Sequence, residues 1–100
     1  MEVRPGVPSL CDALLAPAPG ALTFAINQAR LAGAVGVTDE EALEAMAFAF
    51  RRLKMVLEPG GAVALAAVLS RRVDLAGGVA VVVASGGNVD PEVYARILQI

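Results

Sequence analysis

Two short stretches of this 100-residue chain combine residue types able to hold a ligand. In the first, Val79-Ala80-Val81-Val82-Val83-Ala84 runs directly into Ser85-Gly86-Gly87-Asn88. Successive glycine amides after an apolar strand can form an anion-binding nest, and a hydroxyl at the strand's carboxyl end lies where α/β sheets place ligands. Gly-Gly-Asn is equally ordinary turn chemistry between a strand and a helix. In the second stretch, Glu58-Pro59-Gly60-Gly61, an acid sits beside glycines that let another backbone come close; a helix stop with an exposed acid has the same composition. Just upstream, Arg51, Arg52 and Lys54 offer charge for an anion, or simply form the solvated basic end of a helix.

Other chemistries are excluded by what is missing. There is no histidine, so Ser-His triads, histidine metal sites and imidazole acid–base catalysis are out of reach. Cys11 is alone, so no internal disulfide forms, and it reads as a small buried hydrophobe. A net charge of −2 and scattered basic residues give no footprint for nucleic acid. The long uncharged run from Ala13 is broken by Pro17, Pro19 and Gly20, which argues against a membrane span. The opening MEVRPGVPSL lacks the basic start and apolar core of a signal peptide, so a cytoplasmic location is expected by default.

The elements that must position the two stretches follow from periodicity and punctuation. SLCDALL, between RPGVP and APAPG, reads as one short turn of helix or strand between loops. Leu22, Ile26, Ala29 and Gly33 share a helical face over Ala21–Ala32, with Gly33 as the stop and Ala34–Val37 as a short extended piece. Thr38-Asp39-Glu40-Glu41 has the form of a capping box and predicts a helix from about Asp39 to Leu57 that Glu58-Pro59-Gly60-Gly61 breaks. A second, nearly all-apolar helix spans Ala62–Leu69, a strand Val79–Ala84, and Pro91 opens a final helix through Leu98.

A strand apolar on both faces belongs inside a parallel sheet and needs neighbours to pair its backbone. Only the weak AVGV segment is on offer, and a two-stranded sheet is marginal. The chain is therefore expected to be one domain-sized segment, residues 1–100, of a partial three-layer α/β/α domain with few strands. The missing strands would come from the rest of that domain or from a partner chain.

Taken together and in order, VTDEEALEAMAFAFRRLKMVLEPGGAVALAAVLS and VAVVVASGGNVDPE resemble the C-terminal part of the PLP-dependent serine/threonine dehydratases and serine racemases, the fold type II family typified by tryptophan synthase β. SLCDALLAPAPGALTFAIN is similar to the segment that precedes it in that family. The resemblance implies that Ser85 hydrogen-bonds the pyridine nitrogen of PLP, that Gly86 and Gly87 let the loop pass close to the ring, and that Glu58 lies near the cofactor as a positioning group. It further implies, from nucleotide-activated racemases, an ATP contact for the positions of Lys54 and Asn88 at a subunit interface. The implied reaction is deamination of L-serine or L-threonine to a 2-oxo acid and ammonia, with racemisation of serine as the nearest variant and a homo-oligomer as the complete enzyme.

The family's Schiff-base lysine and phosphate-holding glycine loop lie upstream of this region and have no counterpart here, and the regulatory domain of some threonine dehydratases is not expected. Lys54, the only lysine, matches a late-helix position, so the chain alone should be inactive. The alternative is a non-catalytic α/β module that pairs its strand with a partner and retains weak anion binding at the Ser-Gly-Gly-Asn turn.

Overall fold

The computed structural model describes residues 8–100. The loop expected over residues 4–7 lies outside them. Ser9–Cys11 leads into a single 3-10 turn, Asp12–Leu14, where the pattern of SLCDALL predicts one turn. Four α-helices follow: α1 (Ala21–Arg30), α2 (Asp39–Phe48), α3 (Pro59–Leu69) and α4 (Pro91–Ile97).

α2 starts as its sequence requires. The Thr38 hydroxyl accepts from the Glu41 amide at 3.1 Å while the Glu41 carboxylate accepts from the Thr38 amide at 2.9 Å, a reciprocal capping box. Arg72 then reaches the same carboxylate at 2.9 Å and ties the end of α3 to the start of α2. The Thr38 amide bond and the Arg72 guanidinium hold the Glu41 carboxyl below the ordinary carboxylate range.

The long helix expected to Leu57 is shorter. After Phe48 the backbone widens into one π-helical turn, Ala49–Leu53, and Lys54 closes it in the left-handed region at φ 59° and ψ 37°. The Met55 amide reaches back to the Ala49 carbonyl at 3.1 Å, satisfying an end carbonyl in the manner of a C-terminal cap. Pro59 sets the next boundary: the residue before a proline is pushed to extended geometry, and Glu58 has φ −76° and ψ 162°. Glu-Pro-Gly-Gly therefore opens α3, with Pro59 in the first turn, where its missing N–H is harmless.

The core is the α2–α3 contact, closed at one side by α4. Met46 and Ile97 are its largest wholly buried side chains, and around them Ala42, Ala45, Ala49, Ala62 and Ala66 are buried to 1% exposure or less. Alanines on both faces let the helices pack closely, so dispersion replaces bulk in holding them. Cys11 is buried as expected, and burial pushes its thiol up. Phe50 meets Tyr94 of α4 edge to face at 5.8 Å.

Two expectations are corrected. Among the described residues there is no strand: Val79–Ala84 forms no ladder, nor does Ala34–Val37. The Val79–Ala84 segment is not buried on both faces either, since Val79 is 97% and Val81 93% exposed. The reason is the one that made the sequence odd, because a strand exists only by pairing its backbone with another, and no second strand is present among the described residues. The described residues form a helical layer. α1 ends at Arg30 with Leu31 as its cap, ahead of Gly33, and packs on no other described helix. No described helix is long and apolar enough to cross a membrane.

Candidate functional site

The two stretches singled out in the sequence meet in space. The Glu58 amide donates to the Gly86 carbonyl at 3.0 Å, which ties the entry of α3 to the turn after the extended valines. The contact is so close that glycine is required. A Cβ on Gly61 would fall 2.5 Å from the Gly86 oxygen and 2.9 Å from its nitrogen, and one on Gly87 would fall 2.6 Å from the Val56 carbonyl oxygen. A Cβ on Gly86 would overlap the Glu58 carboxylate. Gly61 and Gly87 thus admit the close approach of one protein backbone to another, and Gly86 that of the Glu58 side chain.

The clamp fixes where Ser85 stands. It is the last residue before the clamped turn and is exposed, with its backbone held from the next residue onward. Glu58 is half-buried, with its carboxylate lying against Gly86. The Ser85–Gly87 turn and Glu58 are brought together, as the family resemblance implied.

Asn88 lies a step further on, in a shallow cleft of about 150 Å³ shared with Leu10, Asp12, Pro59, Val89, Asp90 and Val93. Lys54 does not line it. Its ammonium donates to the Arg51 carbonyl at 2.9 Å, capping the turn it terminates, and Arg51 itself reaches the Leu98 carbonyl at 3.3 Å. A basic side chain at a helix C-terminus is held there by the partial negative charge of the unpaired carbonyls. The nucleotide contact implied for Lys54 and Asn88 was one at a subunit interface, and within this chain the two side chains line different parts of the described surface.

One element of the site escaped the sequence reading. Asp39, placed in the capping segment as one of three acids, bonds residues some thirty positions back: the Ser9 hydroxyl donates to its Oδ1 at 2.6 Å and the Leu10 amide to its Oδ2 at 3.0 Å. These two bonds hold its carboxyl below the ordinary range. No local signal marks such a bond, because an acid in a first helical turn is already explained by the helix dipole.

The model of the pyridoxal-phosphate dependent enzyme family matches residues 2–86. The chain belongs to that family. It is 38% identical to an L-threonine ammonia-lyase of Thermotoga maritima over 93% of this chain and 23% of that protein. It is 38% identical to an L-threo-3-hydroxyaspartate ammonia-lyase of a Pseudomonas species over 77% of this chain and 24% of that one. A serine racemase of Dictyostelium discoideum shares 36% identity over 94% of this chain and 30% of its own length. The crystal structure of a threonine deaminase from T.th. superposes with a TM-score of 0.75 at 38% identity, covering 83% of this chain and 30% of that one. The chain thus spans about a quarter to a third of the relatives it matches. A pyridoxal-phosphate cofactor is the family's common property. The residues here fit one side of it: an exposed neutral hydroxyl on a clamped turn, with an acid behind.

Proposed function

We propose that this chain forms one wall of the pyridoxal-phosphate site in an enzyme that deaminates a β-hydroxy-α-amino acid, L-threonine or L-serine, to a 2-oxo acid and ammonia. The observation that carries the reading is the clamp between Glu58 and Gly86, which presents the Ser85 hydroxyl from a fixed backbone. Threonine, 3-hydroxyaspartate and serine, named for the relatives, all carry a hydroxyl on Cβ, the group lost in such a deamination.

When bound, the cofactor supplies an electron sink that lowers the cost of removing the proton from Cα. Ser85 is assigned to its pyridine nitrogen. A hydroxyl can donate to or accept from that nitrogen without a charge of its own, so it does not enforce a protonated ring as a carboxylate does. Glu58 steadies the turn from behind, and the close fit of Gly61 and Gly87 keeps Ser85 from shifting. The lysine that attaches the cofactor and the loop that holds its phosphate are supplied from outside these 100 residues, as are the strands that pair with Val79–Ala84. Among the described residues, Lys54 is committed to capping its own helix.

Racemisation of serine on the same wall is the second reading, favoured by the similarity to serine racemases, among them one of Schizosaccharomyces pombe at 35% identity. A graft tests both: this chain replaces the matching segment of the Thermotoga maritima L-threonine ammonia-lyase, and 2-oxo acid release and D-serine formation are measured. Turnover that falls on Ser85→Ala while bound cofactor is retained supports the assignment. A folded graft that binds cofactor but has full activity as Ser85→Ala removes Ser85 from the site. A graft that folds without binding cofactor favours a non-catalytic module.

A further inference from the structure

The Ser85 turn rests on a contact path that begins at Asp39. Its carboxylate takes the Ser9 hydroxyl on one oxygen and the Leu10 amide on the other, and the Ser9 oxygen accepts in turn from the Cys11 amide at 3.0 Å. Both carboxylate oxygens are engaged, so the segment is fixed at two points. Ser9–Cys11 feeds directly into the Asp12–Leu14 turn, which packs on α3 at its start. The position a Cβ of Gly60 would occupy lies 3.5 Å from the Ala13 side chain and 3.6 Å from that of Leu14. The next residue, Gly61, is the one pressed on Gly86, and Glu58 at the mouth of the same helix bonds the Gly86 carbonyl. Leu10 and Asp12 also line the cleft that Asn88 and Asp90 line.

The geometry assigns Asp39 as a positioning residue for Ser85: by latching Ser9 and Leu10 it lays the Asp12–Leu14 turn against the mouth of α3 and so sets the Glu58–Gly86 clamp. This deepens the proposed function and rests on its placement of Ser85 at the cofactor. The Asp39 and Glu58 hydrogen bonds and the tight Gly61–Gly86 approach fix the two ends of the path, and between them the Asp12–Leu14 turn lies beside Gly60 with room for no more than about a methyl group. Asp39 touches neither cofactor nor substrate; it acts through the turn. The neighbouring charge that faces it is Arg96 of α4, which favours the ionised form and needs no contact to do so.

The test uses the cofactor-loaded graft, with kcat counted per bound cofactor so that loss of folded protein does not register. Asp39→Ala removes both acceptors, the one for the Ser9 hydroxyl and the one for the Leu10 N–H. It should lower kcat about tenfold, the order expected for a misplaced group remote from the chemistry, with little change in KM. In a Ser85→Ala background the same substitution should have almost no further effect, since residues acting in series are not additive. Hydrogen exchange gives a readout independent of turnover: Asp39→Ala and Ser9→Ala should each speed exchange of the Glu58 amide at least about tenfold while the Met46 amide inside α2 is unchanged. Additive losses in the double variant, or exchange that rises equally at Glu58 and Met46, would overturn the latch and mark Asp39 as a contributor to general stability. If the graft shows the exchange pattern but Ser85→Ala is fully active, the latch to the clamp stands, the proposed function fails, and the positioning role toward Ser85 fails with it.

Discussion

Gly61 and Gly86 stand so close that a single added carbon on Gly61 would lie 2.5 Å from the Gly86 carbonyl oxygen. That oxygen is the one that accepts the Glu58 amide, so the same atom is both bonded and crowded by the mouth of α3. A joint of this kind holds two chain segments in one arrangement without side chains, at the cost of tolerating only glycine.

Substitutions at the joint should fall in an order of severity. Gly61→Ala and Gly87→Ala each set a methyl against backbone atoms that cannot turn away, and each should destabilise by about 1–3 kcal/mol in urea titrations of the graft. Gly86→Ala meets the end of the Glu58 side chain, which can rotate, and should cost less. Glu58→Ala should largely restore Gly86→Ala but not Gly61→Ala.

Ser85→Ala should lower turnover of the cofactor-loaded graft by about ten- to a hundredfold, a loss the size expected for one polar contact at the reacting system, while the absorbance of bound cofactor changes little in amount. Cofactor attachment depends mainly on the lysine and the phosphate contacts outside this chain. A parallel fall in bound cofactor and turnover would instead make Ser85 a binding group.

Lys54 is a non-glycine residue in the left-handed region, a conformation that costs an L-residue about 1–2 kcal/mol. Lys54→Gly removes that cost but loses the bond to the Arg51 carbonyl and adds freedom to the unfolded chain. The net should be a modest gain, about 0.5 kcal/mol, read as a small rise in Tm. A drop would show that the ammonium cap outweighs the backbone.

Acid should weaken the fold through Asp39 and Glu41. Both carboxyls are held below their ordinary range, Asp39 first by the Ser9 hydroxyl and Glu41 first by the Thr38 amide. A lowered folded value means that the stabilisation is complete above the unfolded value and disappears as pH falls through the folded one. Melting temperature should therefore be flat with respect to these groups above about pH 5 and decline below about pH 4. Asp39→Asn and Glu41→Gln should each flatten part of that decline.

The extended valines should make the 100-residue chain self-associate when it is alone. Val79 and Val81 are almost fully exposed on a segment with unpaired backbone, which is a template for edge-to-edge pairing. Sedimentation should show species larger than one chain, and Val81→Lys should reduce them. A sharp monomer with no effect of the substitution would show that the segment is not sticky.

Local grammar in the sequence determined the helices and one capping detail. Thr38 through Glu41 spell their capping box within four residues, Pro91 opens α4, and the alanine-rich Ala62–Leu69 stretch is helical as its pattern required. The pairing of Glu-Pro-Gly-Gly with Ser-Gly-Gly-Asn was legible as a family pattern, and their residues do meet. The tertiary structure decided the rest. It turned Glu58 from the stop of one helix into the entry of the next, because proline constrains the residue before it. It gave the glycines to a backbone–backbone joint, because what a glycine makes room for depends on what lies opposite. It sent Asp39 back to Ser9 and Leu10, a choice of hydrogen-bond partner that chain proximity does not encode. Val79–Ala84 has the composition of a buried strand and lies open, since hydrophobic pattern specifies only what a segment can pack, whereas a strand also needs a neighbouring backbone to bond.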